Sequence, residues 1–196
     1  MDSALAERKR ILRSTMAAKR RAVPDDVAEA AGRMVAAQLA TAPEIEAAEC
    51  VGLYAALPGE LPTRALFESL RRRGRACVFP RVQGRRALVF HRIDAWEELR
   101  PGRIGILEPV ASAPVRVPGP GDLVLVPGVA FDPQGQRLGH GLGCYDAAFP
   151  PGASSPPLLF GVAYEFQVVE SLPHGARDRR VDAIVTERTI RRLYRA

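Results

Sequence analysis

A chain of 196 residues with 47% hydrophobic and 26% charged residues has the composition of a single globular domain, residues 1–196, with length enough for a substantial core. No apolar run approaches the roughly 20 residues of a membrane helix, and the opening "MDSALAERKRILR" lacks the apolar stretch of a secretory signal, so no membrane and a cytoplasmic location are expected. Three cysteines at no ligand or framework spacing argue against a disulfide scaffold, and a net charge of +6, spread along the chain without aromatic interleaving, favours a small anionic ligand over nucleic acid.

Residues 3–22 predict a basic helix, with Leu5, Ile11, Leu12 and Met16 partly on one face. Pro24, followed by Asp25 and Asp26 in the first turn, starts a second helix that runs to Pro43. The apolar run "CVGLYAA" (50–56) predicts a strand, "LPGELPT" a loop, and Thr63 to Arg73 a helix that Gly74 ends. "ACVFP" (76–80) and "ALVFHRI" (87–93) are further strands, with a helical turn in "DAWEELR" and a proline- and glycine-rich surface loop in "SAPVRVPGPG" (112–121). "DLVLVPG" (122–128) is the clearest buried strand. "CYDAAF" begins a short helix, and "LLFGVAY" (158–164) and "DAIVTE" (182–187) are the last strands.

This alternation predicts a three-layer α/β/α fold with a largely parallel central sheet. Cys50 and Cys77 open apolar segments and read as small buried residues. In open sheets of this kind ligands sit beyond the carboxyl ends of the strands, so the loops after "VGLYAA", "ACVFP" and "DLVLVPG" face the site.

The run "RLGHGLGCYD", Arg137 to Asp146, alternates Gly139, Gly141 and Gly143 with other residues. It is neither a P-loop, which needs a following Gly-Lys-Ser/Thr, nor the dinucleotide fingerprint G-x-G-x-x-G. Its glycines permit positive φ and close approach of backbone amides to an anion, yet a plain surface turn has the same composition. Asp146 reads either as a first-turn helix carboxylate or as a magnesium ligand beside phosphates. Asp182 could supply a second carboxylate, or be a turn residue paired with Arg179 or Arg180. Lys9 and Arg13 are four apart and share a helix face. Lys9 and Lys19 are the only lysines in a chain whose other cations are arginines, and lysine offers a point charge where arginine offers a planar fork. Glu60 stands at a strand's end. His140 and Cys144 lack the partners of a metal site or a nucleophile pair.

Taken together, "KRILR", "YAALPGELPT", "FPRV", "GILEP", "LVLVPGVAFDPQGQRLGHGLGCYD" and "LPHGARDRRVDAIVTE" occur in an order that resembles the 5-formyltetrahydrofolate cyclo-ligase family. The resemblance spans nearly the whole chain. It implies a fold similar to the sugar-phosphate isomerase and CoA-transferase group, a monomer, and small-molecule partners, ATP and a reduced folate. The implied reaction uses ATP as co-substrate and Mg²⁺ as cofactor to cyclise 5-formyltetrahydrofolate to 5,10-methenyltetrahydrofolate, through phosphorylation of the formyl oxygen and attack by N10. Carried onto this chain, Lys9, Arg10 and Arg13 meet the ATP phosphates, and Arg137, Leu138, Gly139, His140, Gly141, Leu142, Gly143, Cys144 and Tyr145 wrap the triphosphate. Glu60 binds the pterin, with His140 to Cys144 also contacting folate, and Asp146 and Asp182 hold Mg²⁺. The chain departs from the family pattern at His140, at Leu142 in place of Gly or Lys, at Cys144 in place of a tyrosine, and at Arg177-Asp178. A nucleotide- or folate-binding paralogue without turnover is the alternative expectation.

Overall fold

A computed structural model describes residues 2–102, 105–175 and 178–193, with Asp2 described by its backbone alone. Arg177 lies outside the described residues. The chain begins with helices α1 (Asp2–Arg21), α2 (Asp25–Ala40) and α3 (Pro43–Ala47), the last two separated where a single helix to Pro43 was expected. Pro43 explains the break: it has no N–H to continue a helix, but it fits the first turn of the next one. Strand β1 (Cys50–Gly52), helix α4 (Arg64–Arg72) and strands β2 (Ala76–Gln83) and β3 (Ala87–Arg92) follow, then the short pair β4 (Arg100–Pro101) and β5 (Leu107–Glu108). The remainder comprises β6 (Leu123–Pro127), the pair β7 (Ala130–Phe131) and β8 (Arg137–Leu138), α5 (Cys144–Ala148), β9 (Leu158–Val162), β10 (Ala183–Val185) and β11 (Ile190–Arg192).

Seven strands form one sheet in the order β11-β10-β9-β6-β1-β2-β3. The five inner strands are mutually parallel, and β3 and β11 close the edges antiparallel. The expected parallel core is therefore present, and the two antiparallel edges are what the sequence did not announce. Leu53 still donates to the Val78 carbonyl of β2 at 2.8 Å, and residues 54–56 leave the ladder although they stay largely buried.

Alternation along the strands sorts the core into two faces. Leu123 and Leu125 of β6, with Val51, Cys77 and Phe79, pack under α2, α3 and α4 through Val35, Leu39, Ile45, Leu66 and Leu70. Val124 and Val126, with Cys50, Val78 and Ile184, pack on the other face against Phe131 and Phe149. Cys50 and Cys77 are buried as expected, and burial pushes their thiols up to about 11 and about 12, so they behave as small neutral packing residues. A third cluster joins Met16 and Leu12 of α1 to Val129, Ala130 and Leu138, fastening α1 onto the β7–β8 pair.

The topology positions the site. From β1 the chain proceeds outward to β2 and β3. From the adjacent β6 it proceeds the opposite way to β9 and β10. β1 and β6 thus flank the switch point of the sheet, and the crevice beyond their carboxyl ends is where an open sheet accepts a ligand.

Phe131 shows how tightly the second face is filled. Its ring is fully buried and lies across β9, where a Cβ on Gly161 would come within 2.8 Å of Cδ1. Gly161→Ala is expected to destabilise the protein by about 1–3 kcal/mol through overpacking, read as a lower urea midpoint with an unchanged slope. An unchanged midpoint would contradict this packing.

Candidate functional site

Helical geometry places Lys9, Arg13, Met16 and Arg20 on one face of α1, at successive spacings of four, three and four. Met16 anchors that face in the core and the three cations spread along the loops at the sheet's switch point. The Lys9 ammonium donates to Asp178 Oδ2 at 2.6 Å, Arg13 Nε donates to the Gly139 carbonyl at 2.9 Å, and Arg20 Nε donates to the Gly59 carbonyl at 3.0 Å. Arg20 is itself buried, with Nη2 3.7 Å from Glu60 Oε1.

Glu60 follows β1 and is buried. Its Oε2 accepts from the Leu57 amide at 2.9 Å, and its Oε1 bonds His140 Nε2 at 2.8 Å. Two separate loops and α1 therefore hold this one carboxylate: the turn 57–60 by backbone, the glycine loop by His140, and α1 by Arg20. Tyr54, below it, donates to the Leu61 carbonyl at 2.8 Å. Burial first, and then the charge of Glu60, raise the Tyr54 phenol well above its ordinary value, so it stays a donor.

The glycine loop is closed at its ends. Arg137, on β8, is almost wholly buried and sends Nη2 to Asp146 Oδ1 at 3.0 Å, with Nη1 on the Pro127 carbonyl at 3.3 Å. The same guanidinium lies 5.6 Å over the ring of Tyr145. Between these ends Gly141 has φ +112° and Gly143 φ +70°, conformations that carry a strain for any side chain with a Cβ. Gly139 lies outside that region, and there a Cβ would meet only the far end of Arg137. Leu142 projects outward at 57% exposure, so the bulk of this departure falls largely in solvent. Cys144 opens α5, and burial holds its thiol above the ordinary value.

The hairpin that carries Arg137 is itself oriented by buried polar groups. Asp132 Oδ1 accepts from the amides of Gln134 and Gln136, each at 3.0 Å, and its Oδ2 accepts from Leu172 at 2.9 Å. Gln167 donates to the carbonyls of Gly128 and Val129, each at 2.9 Å.

Together these segments enclose a cavity of about 320 Å³ at the switch point. Lys9, Arg13, Glu60, Arg137 and Asp146 line it, as does every residue from Leu138 to Tyr145. Two expected residues do not. Arg10 points to solvent at 71% side-chain exposure and pairs with Glu7, because one residue along a helix is a rotation of about 100° away from Lys9. Asp182, just ahead of β10, turns its Oδ2 to the Leu159 amide at 2.9 Å. It connects to Asp146 through Arg179, whose amide donates to Asp146 Oδ1 at 3.2 Å and whose Nη2 lies 4.0 Å from Asp182 Oδ2. Among the described residues no three His, Cys, Asp or Glu side chains gather as a metal cage. Asp146 nevertheless fits a magnesium ion, since both of its bonds fall on Oδ1 while its carboxylate opens onto the cavity. Mg²⁺ characteristically takes one or two protein carboxylates and completes its shell with phosphate and water.

Sequence reasoning passed over Arg20 and Glu108 and gave Asp178 no role beyond its place in the Arg177-Asp178 departure; the fold places all three here. The helical spacing 9–13–16–20 was the available signal for Arg20. The pairing of Asp178 with Lys9 has none, as the two are 169 residues apart in the chain.

A partly buried α1 cation face, a glycine loop at positive φ and a switch-point crevice meet at one end of the sheet of this α/β domain. The sequence profile of the 5-formyltetrahydrofolate cyclo-ligase family matches residues 5–187, and the chain belongs to that family. It is 32% identical over 171 residues to the 5-formyltetrahydrofolate cyclo-ligase of Escherichia coli K12, covering 86% of this chain and 94% of that one. Its structure resembles the 5,10-methenyltetrahydrofolate synthetase of Aquifex aeolicus, with a TM-score of 0.83 at 34% identity over 96% of this chain and 94% of the other. The synthetase of Mycoplasma pneumoniae shares the fold, with a TM-score of 0.73 at 22% identity, over 91% and 98% of the two chains.

Burial by itself would raise the Asp178 carboxyl. The Lys9 hydrogen bond, the Gly175 amide and the charges of Lys9 and Arg137 outweigh it and hold the group below its ordinary value. A carboxyl depressed on folding stabilises the protein above its unfolded value, about 3.9, and the contribution disappears as pH falls through the folded value. Asp178→Asn should therefore have the lower urea midpoint at neutral pH, with the gap closing once pH drops below about 4. A gap that stays constant across this range would contradict the pairing.

Proposed function

We propose that this chain is a 5-formyltetrahydrofolate cyclo-ligase that converts 5-formyltetrahydrofolate to 5,10-methenyltetrahydrofolate with hydrolysis of ATP. The observation that carries this reading is the meeting of Lys9 and Arg13 with the glycine loop at a cavity that the buried Glu60 also lines. Cations and loop amides suit a triphosphate, and a buried carboxylate suits the N–H donors of a reduced pterin. Family membership supports the same chemistry.

The formyl oxygen of an amide is a poor leaving group. Transfer of the γ-phosphoryl from ATP to that oxygen makes it phosphate, and leaves ADP. N10 then attacks the formyl carbon, loses its proton, and phosphate departs as the five-membered ring closes. In this scheme Lys9, with Arg13 beside the loop, binds phosphate oxygens, while residues 137–145 orient the transferring group. Such a reaction draws on positioning and charge stabilisation rather than on a protein nucleophile. Glu60 orients the pterin, together with the 140–144 segment. Mg²⁺ is proposed at Asp146; Asp182, which does not line the cavity, is proposed to act on that site through Arg179 rather than by direct ligation. When bound, the ion would neutralise phosphate charge. We further read the chain as one cytoplasmic, monomeric domain whose partners are ATP and a reduced folate.

Purified protein with MgATP and 5-formyltetrahydrofolate should generate the near-ultraviolet absorbance of the methenyl product. Lys9→Met should raise the KM for ATP by about tenfold or more, the effect of losing one charge-assisted phosphate contact, and leave the KM for folate nearly unchanged. ATP-dependent thermal stabilisation without product would instead favour a binding paralogue. The absence of both product and stabilisation would refute the proposal.

A further inference from the structure

We infer that Glu108 is a second carboxylate of the substrate site, accepting the paired N–H donors of the pterin ring of the reduced folate. The inference rests on the cavity being the folate site. Glu108 ends β5 and is 3% exposed, yet it belongs to the cavity wall. Its Oε2 lies 3.8 Å from Arg81 Nη1, which spends its short hydrogen bond, 2.7 Å, on the Pro109 carbonyl. Its Oε1 is fully buried and has no hydrogen-bond partner among the described residues. A buried carboxylate oxygen without a donor is costly, and native proteins keep such groups where something else completes them. Glu60 differs on this point, because both of its oxygens are already bonded within the protein.

The fold makes deliberate room for this carboxylate. A Cβ on Gly102 would stand 2.5 Å from Glu108 Cδ, so the bare backbone of residue 102 is what lets the acid lie there. Around it the wall is apolar, formed by Pro80, Val82, Leu88, Ile106 and Leu107. A slot with these apolar sides and a carboxylate oxygen still without a donor suits a flat ring whose edge donates hydrogen bonds. The pterin ring carries its 2-amino group and N3–H side by side, two parallel donors that match one carboxylate. Adenine presents a single amino group flanked by ring nitrogens that are themselves acceptors and would be repelled. The pterin is therefore the better occupant.

Glu108→Gln should raise the KM for 5-formyltetrahydrofolate about 10- to 100-fold, the size of a lost charge-assisted hydrogen bond, while kcat falls less than about threefold and the KM for ATP stays within about twofold. The 2-desamino-2-methyl analogue of the substrate supplies a readout that packing alone would not move. Wild-type protein should discriminate against it by about tenfold or more, and the variant should treat both compounds nearly alike. If Glu108→Gln does not fold, Glu108→Asp retracts the charge by one methylene and should still raise the folate KM selectively. A lowered melting temperature with an unchanged folate KM, or equal discrimination by both proteins, would overturn the inference and leave Glu108 a structural residue. A rise confined to the KM for ATP would overturn it in favour of an adenine contact. Wild-type protein that forms no methenyl product would overturn the parent reading and this inference with it.

Discussion

Arg137 and Asp146 bracket the glycine loop in sequence and bond to each other at 3.0 Å in space. The intervening residues must then turn back within a few ångströms, which is why Gly141 and Gly143 adopt positive φ and why α5 starts where it does. Arg137 is buried, so it needs its acceptors, and the Pro127 carbonyl at the end of β6 supplies another. The loop is thereby tied to the strand that defines the sheet's switch point. Closing the loop and placing it over the crevice are one physical act.

Helix α1 completes the enclosure from outside the sheet. Each of its three inward cations has an acceptor in the described structure: Asp178 for Lys9, the Gly139 carbonyl for Arg13, and the Gly59 carbonyl with Glu60 for Arg20. Lys9 and Arg13 stand in the cavity wall, whereas Arg20 is buried behind Glu60 and holds it. An incoming polyanion would therefore compete with Asp178 for Lys9, and it would leave the Arg20–Glu60 contact alone. The helix thus divides its charges between ligand and framework according to their distance along one face.

Much of this was legible in the chain. The helices and the inner strands follow apolar periodicity, and strands such as β6 declare their burial by continuous Val and Leu. The pairs β4–β5 and β7–β8 were not legible, because strands two residues long have no period to read. Nor was β11, which lies past the last expected strand, or the antiparallel setting of β3, since the apolar pattern of a strand does not encode its direction. Within the site, the glycine loop, Asp146, Lys9, Arg13 and Glu60 were marked by motif and order. Arg10 was misplaced by adjacency, which helix rotation undoes. Glu108 was hidden inside "GILEP" as an ordinary acid, because its burial comes from Gly102 and from strands that approach only after folding. Glycine loops declare themselves in sequence, but the burial of a single acid does not.

The central claim is that α1 and the 137–146 loop form one cradle for a triphosphate. Hydrogen exchange of the backbone amides with and without MgATP tests it most directly, since it reads the site without requiring turnover. The account predicts that MgATP slows exchange together in residues 139–145 and in the turns of α1 around Lys9 and Arg13, with little change in β10 and β11. Protection confined to other segments, with the glycine loop and α1 exchanging as before, would contradict it.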